Sequence, residues 1–590
     1  MKKKKFLMTK VKALLFAMLL GAPLAALAQV EINKANFPDE NFRNWLLGQD
    51  YGKDGVLTEE EISGITSIDI NSQNISSLAG IEHFTALAHL GCYGNQLTAL
   101  DVSNNTALII LSCSDNQLAA LDVSKNTALT DLYCSNNLLT ALDVSNNSAL
   151  KQLECYTNQF KALDVSNNTA LTFLSCYDNQ LRALDVSNNT ALTILYCFSN
   201  QLTALDVSNN TALTDLYCYD NQLRALDVLN NTALTSLACN TNRLAALDVS
   251  NNTALAYLNC SDNQLTALDV SNNTTLTELW CYNNQLSVLD VSNNTALAYL
   301  SCSYNPLTVL DVSYNPELVL LYCQSNQLTT LDVTNNTKLI EVDCAYNQLT
   351  ALDVSNNTAL TGLWCYFNQL TTLDVSGCTA LIYLYCYVNQ LTALDVSDNK
   401  ELTDLACYSN QLTVLDVSNN KALNYLYCWS NQLTSLDVSN HIALIRLWCN
   451  NNQLKTLDVS GCTALTELDC ENNQIQGVFM DALIASLPQK KGNGGDLYVY
   501  DNTNGDEGNV CTKTQVAAAK AKGWTVWRWS NGKHTEYEGS NDDTTGIMLP
   551  STETVEAGAA VYTLSGQKVT GGLKGKKGVY IIGGKKVVIK

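Results

Sequence analysis

Apolar and polar positions repeat along most of this chain with a period of twenty-one residues. Cysteine marks the period: it stands at every twenty-first position from Cys92 to Cys470, nineteen times in all. In nearly every coil, apolar residues also stand two residues before the cysteine and five, eight, ten and sixteen residues after it. A coil with one apolar side cannot bury that side alone and must stack on copies of itself. The pattern therefore predicts a long solenoid over residues 65–475.

Two stretches within each period alternate between apolar and polar residues, as strands do. The first ends at the cysteine and predicts a short strand whose leucine and cysteine point inward. The second reads Leu-Asp-Val-Ser, as in residues 205–208, and predicts a second strand on the opposite wall. We therefore expect a mostly β fold, with about twenty right-handed coils around a parallel sheet.

Two polar residues recur with the same period. An asparagine follows each cysteine by three residues, from Asn95 to Asn473, and its amide can donate and accept hydrogen bonds between coils. An aspartate follows by nine residues in eighteen coils, from Asp101 to Asp458. We expect turn amides or threonine hydroxyls to hold these carboxylates. A ladder of calcium ions is the alternative, although one carboxylate per coil falls short of the roughly six to eight oxygens that calcium takes.

The ladder cysteines are expected to be reduced and buried, as small apolar side chains. In-register strands lie about 4.8 Å apart with parallel side chains, whereas a disulfide brings two Cβ atoms to about 3.8 Å. Two other cysteines, Cys378 and Cys462, stand four coils apart and are too far from each other to bridge. Cys511 is alone in the C-terminal region.

Residues 29–64 break the period and predict a helix, an acidic loop and a second helix, which would cap the open end of the core. The loop resembles an EF-hand, but its third ligand place is a glycine without a side-chain oxygen. A structural calcium ion is one interpretation of this loop, with four residues as its ligands: Asp50, Asp54, Val56 and Glu61. The alternative is helix capping, with Thr58 as the N-cap residue and Glu61 closing a capping box. No other cofactor is expected.

Four further regions flank the solenoid and its N-terminal cap. Residues 1–28 read as a signal peptide, with a lysine-rich start, an apolar centre and an Ala-Leu-Ala cleavage site. Residues 476–539 predict an α/β cap, with helices over 477–487 and 513–522 and strands over 496–501 and 524–530. Residues 540–557 predict a polar linker, and residues 558–590 alternate as short strands with glycine turns. No later stretch is long and apolar enough to span a bilayer.

The repeat frame L-x-x-L-x-C-x-x-N-x-L resembles the leucine-rich-repeat consensus, with cysteine in the third leucine place. Together with the Leu-Asp-Val-Ser stretch, it is similar to the cysteine-ladder internalins, which are bacterial surface proteins. The resemblance implies a secreted or outer-surface bacterial protein for adhesion or host interaction, rather than an enzyme. Residues 558–590 resemble the C-terminal sorting domains of proteins exported through the type IX route of Bacteroidetes-type bacteria. A basic patch for nucleic acid or lipid is the competing interpretation of that segment, and its strand pattern favours sorting.

The positions three and one before each cysteine, and one and two after it, vary from coil to coil and are expected to face solvent. Aromatic residues hold 27 of these 76 places in a chain that is 8% aromatic overall, and this excess indicates an interaction surface. The preference of aromatic residues for strands explains about half of it. We predict ligand contacts at Tyr196, Phe198, Tyr217, Tyr219, Trp280, Tyr282, Trp364, Tyr366, Tyr385, Tyr387, Tyr408, Tyr427, Trp429 and Trp448.

The net charge of −22 and the scarcity of lysine and arginine on this face exclude nucleic acid and anionic membrane as partners. A host or bacterial surface protein, or a glycan, fits better, and we expect a monomeric adhesin. The four histidines fall in unrelated places, and no nucleophile, zinc or phosphate-loop spacing points to an enzyme. A passive spacer or surface-coat rod is the alternative function, and a glycan-active enzyme is a third.

Overall fold

The structure, a computed structural model, describes residues 29–491, 494–505 and 507–541, together with the backbone of three short strands beyond residue 560. Its centre is a solenoid of parallel strands, one per coil, which confirms the predicted leucine-rich-repeat fold. The solenoid strands are β3 Ser67–Asp69, β4 His89–Gly91, β5 Ile110–Ser112, β6 Asp131–Tyr133, β7 Gln152–Glu154, β8 Phe173–Ser175, β9 Ile194–Tyr196, β10 Asp215–Tyr217, β11 Ser236–Ala238, β12 Tyr257–Asn259, β13 Glu278–Trp280, β14 Tyr299–Ser301, β15 Leu320–Tyr322, β16 Glu341–Asp343, β17 Gly362–Trp364, β18 Tyr383–Tyr385, β19 Asp404–Ala406, β20 Tyr425–Tyr427, β21 Arg446–Trp448 and β22 Glu467–Asp469.

Each solenoid strand pairs in register with the strands of the coils before and after it. Leu216 of β10, for example, lies opposite Leu195 of β9 and Leu237 of β11. The central residue of each solenoid strand and the residue that follows the strand are buried, as Leu216 and Cys218 illustrate. The following residue is a cysteine after every strand but β3, where it is Ile70. All twenty-two cysteines of the chain are buried and free, so the predicted reduced ladder is confirmed. The residues immediately before and after each ladder cysteine consequently face outward.

The predicted second strand, over the Leu-Asp-Val-Ser stretch, was wrong. This stretch pairs only at isolated bridges between successive aspartates, such as Asp101 with Asp122 and Asp437 with Asp458. The cause is local, because each aspartate accepts a hydrogen bond from the amide two residues later. In the first of these coils, the Ser103 amide donates to Asp101 Oδ1 at 2.9 Å, and this bond turns the chain before a ladder extends. The carboxylates are thus held by turn amides of their own coil, as predicted.

The asparagine three residues after each cysteine ties successive coils together, as the sequence predicts. The amide of Asn116 donates to the carbonyl oxygens of Cys92, at 3.0 Å, and Cys113, at 3.1 Å. Its Oδ1 accepts from the Leu97 amide at 2.9 Å. Because coil stacking buries the turn backbone, these bonds satisfy groups that water cannot reach.

A second asparagine ladder, which the sequence analysis did not identify, stands thirteen residues after the cysteine. Asn231 is fully buried, and its amide donates to the carbonyl oxygens of Val207, at 2.9 Å, and Asn210, at 2.8 Å. This ladder fastens the opposite wall of the solenoid in the place where the predicted second strand is missing.

The N-terminal cap contains the two predicted helices, α1 Glu40–Gly48 and α2 Glu59–Gly64, and an antiparallel pair that was not predicted, β1 Val30–Glu31 and β2 Val56–Leu57. Helix α1 begins after Asp39, whose carboxylate accepts the amides of Phe42, at 3.0 Å, and Ser76, at 2.8 Å. The first bond caps the helix, and the second joins it to the first coil. Phe42 and Leu46, one helical turn apart, are fully buried against the solenoid core.

The C-terminal cap contains α3 Val478–Ser486, β23 Gly495–Asp501, α4 Lys513–Ala521, β24 Trp524–Ser530 and β25 Lys533–Glu536. The first four confirm the predicted elements, and β25 was not predicted. Strands β23 and β24 continue the parallel sheet of the solenoid, and β25 returns antiparallel to β24. Among the described strands, β3 pairs with β4 alone and β25 with β24 alone, so the sheet is open.

Beyond the cap, β26 Val561–Thr563, β27 Gly578–Ile582 and β28 Lys585–Ile589 form a small antiparallel sheet. The sorting role of residues 558–590 stays a prediction. The predicted signal peptide, residues 1–28, and residues 542–557 of the predicted linker lie outside the described residues. Among the helices that the structure does describe, none has the length and hydropathy that a bilayer crossing requires.

Candidate binding surface

All fourteen residues predicted to contact a ligand are partly exposed on the outward face of the strands. Seven stand immediately before a cysteine and form what we call the pre-cysteine column: Tyr196, Tyr217, Trp280, Trp364, Tyr385, Tyr427 and Trp448. The post-cysteine column consists of the residues that stand immediately after a ladder cysteine, and it contains the other seven: Phe198, Tyr219, Tyr282, Tyr366, Tyr387, Tyr408 and Trp429. Strand alternation produces both columns, since leucine and cysteine take the inward positions.

The post-cysteine column contains two stacks of four rings. The N-terminal stack consists of Tyr156, Tyr177, Phe198 and Tyr219, with neighbouring ring centroids 4.2–4.3 Å apart. The C-terminal stack consists of Tyr366, Tyr387, Tyr408 and Trp429, with the same spacing. Neighbouring ring planes differ by 7–13° in both stacks, so each ring covers the face of the next. The hydroxyl group of Tyr387 interacts with those of Tyr366 and Tyr408, and the ring edges point outward.

The pre-cysteine column is less regular. Tyr196 and Tyr217 stack with centroids 4.8 Å apart, whereas Trp364 meets Tyr385 edge to face at 6.3 Å. Trp280 lies between Asn259 and Ser301 of the neighbouring strands, and Tyr282 lies outside both stacks. The structure therefore groups the predicted residues into two clusters and leaves Trp280 and Tyr282 apart from them.

Exposed aromatic residues that the sequence analysis missed widen the second cluster. Tyr346 and Phe367 stand two residues after their cysteines, stack with centroids 4.5 Å apart, and are 46% and 39% exposed. Tyr383, which is 41% exposed, stacks against Trp364 at 6.4 Å. We define the C-terminal patch as Tyr346, Trp364, Tyr366, Phe367, Tyr383, Tyr385, Tyr387, Tyr408, Tyr427, Trp429 and Trp448. Contiguous exposed apolar surface of this kind marks interaction sites on soluble proteins.

The N-terminal stack begins with two residues that the sequence analysis did not name, Tyr156 and Tyr177. The signal that identifies them is their place immediately after a cysteine in two consecutive coils. When the four variable positions are compared separately along the solenoid, the position directly after the cysteine is aromatic in four consecutive coils, which include Tyr156 and Tyr177.

Acidic side chains border the C-terminal patch and hold some of its rings. Trp448 Nε1 donates to Glu467 Oε1 at 2.8 Å, and Arg446 Nε lies 2.9 Å from the other oxygen of the same carboxylate. Burial raises the pKa of Asp343 to about 6. In the N-terminal stack, burial and the neighbouring Tyr156 raise the pKa of Tyr177 to about 12, so this phenol is a neutral donor at physiological pH.

The predicted calcium ligands are engaged in local contacts. The Asp50 carboxylate pairs with Lys53, and Asp54 Oδ1 accepts the Val56 amide at 3.1 Å. Glu61 Oε2 accepts the amide and the hydroxyl of Thr58, both at 2.8 Å, which is the capping box named as the alternative. No group of three or more metal-ligating His, Cys, Asp or Glu side chains occurs within the described ranges. Calcium at this loop stays a prediction.

Comparison with known proteins gives matches to repeat families and to internalins. A family model described as leucine-rich repeats, two copies, matches residues 442–483, and one described as the LVIVD repeat matches residues 254–283. Internalin J of Listeria monocytogenes serotype 4b (strain F2365) is 42% identical over 70 residues, which cover 12% of this chain. The match spans only 8% of the length of that curated relative.

Two solved structures extend these matches. The functional domain of InlJ from Listeria monocytogenes, which includes a cysteine ladder, is 32% identical and covers 77% of this chain and 83% of its own, with a TM-score of 0.43. The plant peptide hormone receptor RGFR1, solved in complex with RGF2, is 21% identical and covers 74% of this chain and 79% of its own, with a TM-score of 0.65. The match to the receptor establishes only the fold of this chain. The match to InlJ is a match of sequence, at 32% identity over 83% of that domain. The chain therefore belongs to the leucine-rich-repeat proteins, and it is an internalin-like member of them.

Proposed function

We propose that the chain is a secreted or outer-surface bacterial adhesin that binds a protein partner through the C-terminal patch. One observation carries this proposal: the patch is a contiguous, exposed aromatic surface on the one face of the solenoid that varies from coil to coil. Aromatic residues dominate the energetics of protein interfaces because they bury large areas and lose little conformational entropy.

The stacking geometry favours a protein partner over a glycan. A sugar ring that binds an aromatic side chain lies against an open ring face. In the C-terminal stack, at spacings of 4.2–4.3 Å, Tyr387 and Tyr408 are covered on both faces, and Tyr366 and Trp429 on one face. Their edges and hydroxyl groups suit the side chains and backbone groups of a protein surface. The complex of the receptor RGFR1 with RGF2 supports the same class of partner.

The negative charge of the chain indicates what kind of protein surface the C-terminal patch would bind. The chain carries a net charge of −22, and the strand face between residues 341 and 467 has four acids for one arginine, Arg446, which already pairs with Glu467. A partner that presents lysine or arginine around an apolar centre would gain from this field in its association rate and its specificity. Host or bacterial surface proteins are both candidates, and we propose that the chain binds as a monomer.

The proposed location at the outer surface rests on three supports: the predicted signal peptide over residues 1–28, the sorting-like segment over residues 558–590, and the similarity to internalin J. A leucine-rich-repeat fold is typically a binding scaffold without catalysis, and we propose no enzymatic activity for this chain.

The test compares the full chain with a triple variant, Trp364→Ala, Tyr385→Ala and Trp429→Ala, on arrays of extracellular proteins and of glycans. Trp280→Ala is the matched control, because it removes a half-buried tryptophan outside both stacks. We expect a protein to bind the wild type and the control equally, and the triple variant at least about 30-fold more weakly. Binding to glycans alone would replace the protein partner with a sugar, and absence of any binding would support the spacer function.

A further inference from the structure

Four cations stand in line on one side of the solenoid, in a chain whose net charge is −22. Lys161, Arg182 and Arg224 come six residues after the cysteines of their coils, where most other coils have threonine, and Arg243 comes four residues after its cysteine. All four residues are exposed, and we call them the basic row. The row lies outside the strand face, between the strand and the Leu-Asp-Val-Ser stretch of each coil.

Backbone hydrogen bonds between coils place these cations beside one another. The amide of Arg243 donates to the carbonyl oxygen of Leu223, the residue before Arg224, at 2.8 Å. The equivalent bond, at 2.9 Å, joins the coils of Lys161 and Arg182. One coil, with threonine in this place, separates the two pairs. Because successive coils are about 4.8 Å apart, the basic row extends over about 19 Å.

The basic row has no counterion within the chain. None of its four members forms an ion pair or a side-chain hydrogen bond with another residue in the part of the chain that the structure describes. Elsewhere in the solenoid, Lys338 pairs with Glu317 and Arg446 pairs with Glu467. The charge of the row is therefore available to an external anion.

Carboxylates flank the basic row on both sides and limit the shape of that anion. Toward the strand stand Asp178 and Asp220, both exposed, and Asp220 accepts a hydrogen bond from the Ser199 hydroxyl at 2.9 Å. On the other side runs the column of aspartates nine residues after each cysteine, of which Asp185 is one. These two lines of charge would repel a broad anionic surface or a large polyanion. A single narrow line of negative charges fits the row.

An extended acidic peptide presents such a line. Residues of a strand rise about 3.4 Å each and alternate between two faces, so acids at every second residue place their carboxylates on one face. Four such acids extend over about 20 Å, against about 19 Å for the basic row. Arginine and lysine bind carboxylates through charge-assisted hydrogen bonds, which are stronger than neutral ones.

We propose that the basic row binds an extended segment of a partner protein that has an acidic residue at every second position. This site goes beyond the proposed function, because it selects a partner of the opposite charge. It shares no residue with the C-terminal patch, so loss of binding at one surface leaves the other intact.

The test measures the binding of two synthetic heptapeptides to the full chain by isothermal titration calorimetry at low ionic strength. The peptide Glu-Ser-Glu-Ser-Glu-Ser-Glu alternates its four acids, and the peptide Ser-Ser-Glu-Glu-Glu-Glu-Ser groups the same number. Both are acetylated and amidated at their ends. We expect the alternating peptide to bind at least about fivefold more tightly, because its carboxylates reach all four cations. Equal affinities, or no binding of either peptide, would overturn the proposal.

A matched pair of variants assigns the binding to the basic row. Arg182→Gln combined with Arg224→Gln removes two of the four cations and should weaken binding of the alternating peptide by at least about tenfold. Lys400→Gln combined with Lys455→Gln is the control, because it removes the same charge from exposed positions at least seven coils away from the row. At that distance, about 34 Å, solvent and salt screen the charges, and binding should change by less than about twofold. Similar losses in the two variants would mean that the peptide responds to the net charge of the chain, which would refute the site.

Discussion

The Nε2 atom of His441 lies 3.0 Å from the carbonyl oxygen of Val417, in the place where most coils have the amide of a buried asparagine. Of the eighteen coils with this place, three depart from asparagine, and each keeps a hydrogen-bond donor. The thiols of Cys378 and Cys462 lie 3.3 and 3.1 Å from the corresponding valine carbonyl oxygens. The position requires a donor because stacking buries the valine carbonyl of the preceding coil.

This requirement predicts the effect of removing a donor. Asn231→Ala should lower the free energy of unfolding by about 1–3 kcal/mol, because it removes two buried hydrogen bonds between coils and leaves the carbonyl oxygens of Val207 and Asn210 with one backbone donor each. Urea denaturation of the full chain measures the change. His441→Asn should be close to neutral, since the amide provides the same donor.

The matched control is Asn230→Ala. Asn230 precedes Asn231, is exposed, and makes one bond of 3.2 Å to Ser208, so its removal should change stability by no more than about 0.5 kcal/mol. Equal losses at Asn230 and Asn231 would mean that the ladder at Asn231 contributes no more than a surface contact.

The cysteine ladder predicts that the thiols of the folded chain are almost unreactive toward alkylating agents. Burial raises the pKa of Cys239 well above the ordinary range for a thiol, and the same holds along the column. Because the thiolate is the reactive form, the folded chain should take up essentially no iodoacetamide at pH 8. After denaturation, mass spectrometry should find all twenty-two cysteines alkylated. Cysteines already paired as disulfides before denaturation would contradict the free, buried ladder.

Much of the fold followed from the sequence because one short pattern repeats. The parallel strand, the inward leucine and cysteine, and the bridging role of Asn116 depend on spacing alone. The sequence could not exclude the second strand, because the Leu-Asp-Val-Ser stretch does alternate between apolar and polar residues. What prevents a continuous strand there is a local hydrogen bond, from the Ser103 amide to the Asp101 carboxylate. The ladder at Asn231 was missed because a buried asparagine and a turn asparagine look alike in sequence.

The candidate surface was only partly predictable. The sequence placed Trp364 and Tyr387 on the outward face, since strand alternation fixes that face. It did not show whether their ring faces are open or covered, because stacking depends on side-chain torsions. Phe367 was missed because the predicted contacts were confined to the residues directly before and after a cysteine. It stands one place further on, at φ 51°, where the chain leaves the strand.

The buried carboxyl groups predict how stability depends on pH. Burial raises the pKa of Asp469 to about 7, that of Asp343 to about 6, and, together with neighbouring charges, that of Glu471 to about 9. Between the ordinary carboxyl pKa and these values the folded chain binds more protons than the unfolded chain, so stability falls as pH rises from about 5 to 9. Urea midpoints at pH 5, 7 and 9 measure this slope. Asp343→Asn should reduce the loss of stability in the lower half of this pH range, around the pKa of about 6 of Asp343.

The exposed aspartates act in the opposite direction. Hydrogen bonds from the side chain and backbone of Ser124 lower the pKa of Asp122, and most other coils have the same arrangement. A lowered pKa stabilises the fold above the ordinary aspartate pKa of about 3.8, and this contribution is lost as pH falls through the lowered value. We therefore expect maximum stability near pH 4–5. A maximum at pH 7 or above would mean that the buried carboxyl groups are ionised in the folded chain.

The turn after each cysteine offers a route to a more stable chain. The residue two positions after the cysteine has a left-handed backbone in coil after coil, and at Val388, with φ 51°, a β-branched side chain occupies it. A residue of this kind costs about 1–2 kcal/mol in the left-handed region, whereas asparagine is tolerated there. Val388→Asn should therefore raise the free energy of unfolding by about 1 kcal/mol. The reciprocal change one coil later, Ser409→Val at φ 51°, should lower it by a similar amount. If both variants shift the urea midpoint in the same direction, side-chain packing rather than backbone strain controls this position.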